Sequence, residues 1–114
     1  MADKNRMVVE KMLKYAEKVL RYTEGLDYAQ FAADTRTVDA CVFNISQLGE
    51  LTRHMDKDYR DSHPAMPWYN IYNLRNRIVH DYEGIKLDVL WQVIYYHLPP
   101  LRDQLEELLK EARP

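Results

Sequence analysis

The ten residues NLRNRIVHDY, from Asn73 to Tyr82, concentrate side chains that bind anions and transfer protons. Arg75 can hold a phosphate through two parallel hydrogen bonds, because a guanidinium presents paired donors. His80 can give or take a proton near neutral pH, and Asn76 can fix the tautomer of such an imidazole. Together these groups suffice to cleave RNA without a metal, by attack of a ribose 2′-hydroxyl on the adjacent phosphate.

The helical repeat relates these side chains to the buried side of the helix that we predict here. At about 100° per residue, measured from Leu74, Arg75 lies on the buried arc and therefore needs an acidic partner, an anionic ligand or a wet crevice. Tyr82 returns to about 80° if the helix lasts that far, which brings its hydroxyl to the same side. Asn76 and His80 form an i, i+4 pair that faces away from the arc.

Ordinary structural roles also account for these residues. An arginine in an apolar stripe commonly pairs with a buried carboxylate, and Glu50 is an available partner; spacing alone favours this pairing. His80 near a helix C-terminus could interact with the helix dipole. Tyr82 could be a core residue whose hydroxyl is hydrogen-bonded. Geometry alone leaves these alternatives open.

The rest of the chain predicts an all-α protein. Apolar residues recur at spacings of three and four, and no Val/Ile/Thr-rich segment alternates with period two between turn signals. Four long helices with short connections imply an up-and-down bundle. The predicted elements are a helix over about 5–24, a short helical turn over 27–33, a second long helix capped by Thr35 or Thr37 and reaching Met55, a loop over 57–67, a third long helix from Pro67 that Gly84 ends, and a last helix from about Lys86 to Leu109.

Two kinds of residue inside the predicted helices carry further information. Gly49 costs about 1 kcal/mol against alanine in a helix, which indicates close contact with a neighbouring element. Pro99 and Pro100 lie inside the last helix and must kink or break it, because proline lacks the N–H and clashes with the preceding turn.

Composition limits the class of protein. A chain of 114 residues, 46% of them apolar, fits one domain over 1–114. The net charge of −2 lacks the basic excess of a protein that coats nucleic acid, so such binding needs a local patch. Cys41 is the single cysteine, which excludes an internal disulfide and points to a reducing compartment. With no signal-peptide pattern and no membrane-spanning apolar run, we expect a soluble cytoplasmic protein.

Other groups could bind phosphate or metal. The polar face of the first helix could follow a phosphate backbone, although nearby glutamates favour a solvated, self-paired face. Its cations are Lys11, Lys14, Lys18 and Arg21. His54 and His63, with the aspartates between them, could suggest a metal, but two histidines with eight residues between them do not make a preset site. We therefore predict no metal and no cofactor.

Three further features each have more than one interpretation. Tyr95 and Tyr96, with Trp91, could belong either to a dimer interface or to the core. His97 is expected to be a hydrogen-bonded core or interface residue. The loop over 58–66 could gate a cleft or contact a partner, but a passive connector is the default expectation.

Arg75, four residues, His80, one residue and Tyr82 form the pattern R-x4-H-x-Y. This pattern resembles the signature of HepT-like toxins, a branch of the HEPN domain proteins, and the polar Asn76 after the arginine is also similar. The resemblance covers roughly Phe31 to Leu109. It continues in ISQLGEL (45–51), PW (67–68), HDYEGI (80–85) leading to Asp88 and Trp91, and HLPPL (97–101).

The resemblance implies an α-helical HEPN bundle that dimerises so that Arg75 and His80 from two subunits line one cleft. Such proteins act as metal-independent ribonucleases and as the toxin of a two-gene pair. Their partner is a minimal nucleotidyltransferase antitoxin, which transfers AMP to the motif tyrosine. Arg75 would then hold the scissile phosphate, His80 would act as general acid or base with Asn76 and Arg77 in support, and Tyr82 would accept the AMP.

A bulky anionic adduct on Tyr82 would compete with substrate phosphate for Arg75 and switch the activity off. The alternative is a non-catalytic helical subunit that holds a nucleotidyltransferase or its nucleotide and cleaves nothing.

Overall fold

Eight helices, a 3₁₀ helix, a π-helical segment and two short strands make up the part of the chain that the computed structural model describes, residues 2–80 and 82–111. They are α1 (Asp3–Thr23), α2 (Tyr28–Ala33), α3 (Thr35–Glu50), a 3₁₀ helix (Leu51–His54), α4 (Lys57–Asp61), α5 (Trp68–Tyr72), α6 (Leu74–Ile78), β1 (Val79–His80), β2 (Gly84–Ile85), α7 (Leu87–Gln92), a π-helical segment (Val93–His97) and α8 (Leu98–Glu111). Within these residues no helix has the length and apolar character that crossing a membrane requires.

The core lies between α1, α3 and the last helix, because each presents an apolar stripe to the others. α5 and α6 close the bundle over α3 with three buried residues, Ile71, Leu74 and Ile78. The predicted all-α bundle is confirmed. Its fully buried side chains include Val9, Met12, Val19, Phe31, Ile45, Leu48, Leu90, Leu98 and Leu105.

The last helix runs from Leu87 to Glu111 as joined pieces. Within it the Leu98 N–H donates to the Val93 carbonyl, five residues back, so Val93–His97 forms a π turn. Pro99 and Pro100 follow directly. A wider turn accommodates prolines that lack an N–H and would crowd the carbonyls of a regular helix. The irregularity predicted at the prolines is therefore a π turn just before them, and the helix is not broken.

Before the motif, the helix boundaries differ from prediction in three places. Asp34, rather than Thr35 or Thr37, caps α3: its carboxylate accepts the Thr37 N–H at 3.1 Å and the Thr37 hydroxyl at 2.7 Å. α3 ends at Glu50, and the chain reaches Met55 through the 3₁₀ helix. The segment predicted as a loop over 57–67 contains α4, which an ion pair between Lys57 and Asp61 supports.

Gly49 lies where α3 passes the backbone of α5. A methyl group built on Gly49 would lie 2.7 Å from the carbonyl oxygen of Ile71 and 3.3 Å from that of Tyr72. The predicted close contact is confirmed. The neighbouring atoms are backbone carbonyl oxygens, which cannot rotate away as a side chain could.

Replacing Gly49 by alanine should lower the melting temperature by several degrees. Alanine gains about 1 kcal/mol of helix propensity, but the overpacking against backbone costs typically about 1–3 kcal/mol, so the cost dominates. Asp39→Ala, at an exposed position of α3, is the matched control and should leave the thermal unfolding curve within about a degree or two of wild type. A Gly49→Ala protein that melts at or above the wild-type temperature would contradict this contact.

Candidate active site

Arg75 and His80 lie at a junction between a helix and a hairpin. α6 ends at Ile78 because Val79 takes extended backbone angles, φ −125° and ψ 129°, which suit its β-branched side chain. The chain then forms a tight antiparallel hairpin that returns through Gly84, whose φ of 87° favours glycine. The prediction that this helix continues to Gly84 is therefore wrong.

Two backbone hydrogen bonds fix the hairpin onto the end of α6. The Val79 N–H donates to the Arg75 carbonyl, and the Lys86 N–H donates to the Ile78 carbonyl at 2.8 Å. His80, one residue after Val79, is thus held close to the last turn of the helix that carries Arg75. Asp81 lies outside the described residues.

The side chain of Arg75 is exposed, whereas its neighbours Leu74 and Ile78 are buried. The expectation that Arg75 is buried is therefore wrong. Asn73 interrupts the helix between α5 and α6, and the long arginine side chain extends to solvent over the apolar residues. Glu50 pairs with Arg53 instead, and no carboxylate of residues 2–80 or 82–111 lies within 4.0 Å of the Arg75 guanidinium. The buried Arg75–Glu50 pair is not formed.

Asn76 does not orient His80. Its amide nitrogen donates to the Asn73 side-chain oxygen at 2.9 Å, so it braces the break between α5 and α6. The predicted i, i+4 pair of Asn76 and His80 is wrong because His80 lies beyond the end of the helix. The helix-dipole explanation of His80 stays open, because His80 lies two residues after the end of α6.

The imidazole of His80 is open to solvent, with 44% of its side chain exposed. Its Nε2 lies 3.9 Å from a carboxylate oxygen of Glu83, in the turn of the hairpin. Glu83 is a neighbour that sequence reasoning missed, although its i, i+3 spacing from His80 could have indicated it.

Tyr82 lies at the tip of the hairpin and is 100% exposed. The core explanation of this residue is wrong. A longer helix was predicted to bring the Tyr82 hydroxyl to the same side as Arg75. The helix ends at Ile78, four residues before Tyr82, so this placement is wrong. The hairpin instead presents the phenol to solvent, where a second protein can reach it.

Arg77, on α6, lines a groove of about 250 Å³ between α5–α6 and the last helix. His97, at the end of the π turn, lines the same groove and is exposed, so the core explanation of His97 is wrong. The groove floor is apolar, with Ile71, Leu74 and Leu98 among its residues.

The other groups that the sequence offered do not assemble into a second site. Tyr95 and Tyr96 are exposed and stack edge to face, with ring centroids 4.9 Å apart, so the core explanation is wrong for both, and the interface explanation stays a prediction. The His63 ring contacts Ser62, the Tyr59 carbonyl and Glu111. Within 2–80 and 82–111, no group of three or more His, Cys, Asp or Glu side chains could hold a metal.

Two further groups that the sequence offered are Cys41, which is buried, and the cations of α1. Burial raises the pKa of the Cys41 thiol to about 12, which rules it out as a nucleophile near neutral pH. The expected self-pairing on α1 is limited to Arg6 and Glu10, at 3.1 Å. No carboxylate in the described ranges lies within 4.0 Å of the four cations Lys11, Lys14, Lys18 and Arg21.

The junction therefore displays an exposed guanidinium and an exposed imidazole from two segments that are hydrogen-bonded to each other. A guanidinium can hold a phosphate and an imidazole can transfer a proton, and these are the two kinds of group that transesterification of RNA uses.

Comparison with known proteins gives a consistent family match. The family model described as "Ribonuclease HepT-like" matches residues 12–108. "Putative RNase TTE0752" of Caldanaerobacter subterraneus subsp. tengcongensis is 26% identical over 108 residues, which cover 95% of this chain and 96% of that protein. "Putative RNase MJ1380" of Methanocaldococcus jannaschii is 28% identical over 95 residues, 83% of this chain and 87% of that protein. "Probable ribonuclease HepT" of Thermococcus cleftensis is 26% identical over 102 residues, 90% and 93% of the two chains.

No solved structure matches this chain.

Proposed function

The chain belongs to the HepT-like ribonuclease family, and from this premise we propose that it is a metal-independent endoribonuclease with Arg75 and His80 at its active site. The observation that carries the proposal is the exposure of both side chains at one helix–hairpin junction. That junction is tied by the hydrogen bond from the Val79 N–H to the Arg75 carbonyl.

In the proposed reaction Arg75 donates to the non-bridging oxygens of the scissile phosphate and stabilises the charge that develops there. His80 removes the proton of the ribose 2′-hydroxyl, whose oxygen then forms a bond to phosphorus. The bond from phosphorus to the 5′-oxygen breaks, and a protonated imidazole gives that oxygen its proton. The products are a 2′,3′-cyclic phosphate and a 5′-hydroxyl.

A homodimer would supply one histidine for each proton transfer. In this arrangement Arg75 and His80 of two subunits line one cleft. Arg77 would add positive charge, and Asn76 would support the site by holding Asn73 and hence the break in the helix. The exposed pair Tyr95 and Tyr96 supports dimerisation, because aromatic side chains are enriched at protein interfaces.

The proposed biological role is the toxin of a toxin–antitoxin pair in the cytoplasm. A minimal nucleotidyltransferase antitoxin would transfer AMP to Tyr82: the phenol oxygen bonds to the α-phosphorus of ATP, and pyrophosphate leaves. The full exposure of Tyr82 supports this role. The same exposure would also suit a non-catalytic helical subunit of a nucleotidyltransferase complex, which would give His80 no function.

Analysis of the product ends tests the proposed reaction. Purified protein with a metal chelator should cut RNA into fragments that end in a 2′,3′-cyclic phosphate and begin with a 5′-hydroxyl. A single 2′-deoxynucleotide placed at the mapped cut should block cleavage there, because the attacking oxygen is missing. The same substitution two nucleotides away is the control and should have no effect. Fragments with 5′-phosphate ends, or cleavage that stops with the chelator, would contradict the proposal.

A further inference from the structure

Exposed aromatic and cationic side chains share one surface beside the motif. We call this the aromatic–basic face and define it as Arg53, Lys57, Arg60, Tyr69 and Tyr72. Tyr69 is 74% exposed and Tyr72 46% exposed, although both lie on a helix of the bundle. Two hollows, of about 380 and 560 Å³, flank Tyr69, and Arg60 and Trp68 line both.

We propose that the aromatic–basic face binds unpaired RNA and leads the strand to Arg75. This inference rests on the proposed ribonuclease function and adds to it a binding surface and a substrate class. Successive bases of a single strand stack on aromatic rings while nearby cations follow the phosphates. A duplex offers no free base faces to such rings, so the surface selects unpaired strands.

The tyrosines of the face lie on α5, directly before the helix that carries Arg75, so an RNA strand bound to them would extend toward the motif. Tyr69 and Tyr72 are three residues apart on α5, so they are neighbours on adjacent turns. Arg75 follows Tyr72 by three residues, at the start of α6. The Asn73 N–H donates to the Tyr69 carbonyl at 3.0 Å, and the Arg77 N–H donates to the Asn73 carbonyl at 3.2 Å. The two bonds meet at Asn73 from either side, so α6 follows α5 directly.

The charge of the face suits a phosphate backbone. Three cations and one carboxylate, Asp61, line the hollow beside Tyr72. Lys57 lies 2.8 Å from Asp61 and Arg53 pairs with Glu50, but all four side chains are largely exposed, so these pairs are weak and phosphates can compete for the cations. Arg60 is half-buried, and within the described residues its Nε has no hydrogen-bond partner. No carboxylate of the described residues lies within 4.0 Å of its guanidinium.

The face is held in place before any ligand arrives. The Trp68 indole N–H donates to the carbonyl oxygens of Arg60 and His63, both at 3.1 Å, which ties α4 to the start of α5. The Tyr59 and His63 rings stack with centroids 4.3 Å apart. Arg60 and Tyr69 therefore keep a fixed relation, and the segment expected to be a passive connector forms part of the binding surface.

Binding of a single-stranded 2′-O-methyl oligonucleotide, followed by fluorescence anisotropy, tests the inference without cleavage. Tyr69→Ala and Tyr72→Ala should each weaken binding about tenfold, the size expected for the loss of one stacked base. Tyr69→Phe keeps the ring and should bind as wild type. Tyr22→Ala removes a tyrosine of matched exposure, 43%, from α1 and should bind as wild type.

Salt dependence gives an independent measurement on the cations. Arg60→Gln should lower the slope of log affinity against log salt by roughly 0.7, the value for one phosphate contact on a single strand. Lys14→Gln, which removes an exposed cation from α1, is the control and should leave the slope unchanged.

Wild-type affinity in both tyrosine variants would overturn the inference, as would equal binding of the corresponding duplex. A loss of self-association in place of RNA binding, measured by sedimentation, would also overturn it and assign the face to a second copy of the chain. The two proposals fail separately. A protein that binds single strands through Tyr69 and Tyr72 but cuts nothing would refute only the ribonuclease, whereas cutting without dependence on these tyrosines would refute only the binding face.

Discussion

Replacement of His80 by alanine should reduce RNA cleavage by about 10²- to 10⁴-fold, the range that one positioned acid or base contributes. The loss should appear in the rate and not in folding, since the ring is open to solvent and lies 3.9 Å from Glu83, outside hydrogen-bond distance. Helix content by circular dichroism and the sedimentation coefficient should therefore match those of wild type. The measurement is the initial rate of cleavage of a labelled RNA.

His54→Ala is the matched control, because His54 is also an exposed histidine and lies on the 3₁₀ helix after α3. It should cleave at the wild-type rate. A His80→Ala protein that cleaves as fast as wild type would reject the enzymatic assignment and favour the non-catalytic subunit.

Replacement of Tyr82 by phenylalanine should make the protein resistant to inhibition by the proposed nucleotidyltransferase partner. Phenylalanine keeps the exposed ring but lacks the hydroxyl that bonds to AMP, so cleavage should persist when partner and ATP are present. The wild-type chain should lose nearly all activity, because an anionic adduct on the hairpin competes with substrate for Arg75. Intact-mass spectrometry should show added AMP on the wild-type chain and none on Tyr82→Phe.

Tyr22→Phe is the control for this experiment, since Tyr22 is another exposed tyrosine and lies on α1. It should gain AMP and lose activity as wild type does. AMP found on the Tyr82→Phe chain would refute Tyr82 as the acceptor, and a modified wild-type chain with full activity would refute the switch.

The long helices could be predicted from the sequence because their stability depends on apolar spacing within one segment. α1 and α8 follow from residues three and four apart, and Gly49 correctly indicated the close passage of two helices. The ends of helices are harder to predict, because several neighbouring side chains can provide the cap. Asp34 took the cap that Thr35 or Thr37 was expected to provide, since its carboxylate accepts two donors of Thr37.

The residue types at the site could be predicted from the sequence, but not their placement. The helical wheel assumes an unbroken helix, and Asn73 interrupts it while Val79 ends it. The hairpin depends on a hydrogen bond between Lys86 and Ile78, which no local periodicity encodes. The prediction therefore placed Arg75 on the buried side of the helix and His80 beside Asn76. In the structure, Arg75 and His80 are both exposed at the junction.

The most direct test of the central claim compares cleavage rates of wild type, Arg75→Ala, His80→Ala and the double variant. If the two side chains act on one phosphodiester, each single change removes most of the catalysis, and the double variant is about as slow as the slower single one. Losses that multiply in the double variant, or an Arg75→Ala protein that cuts at the wild-type rate, would contradict a shared site.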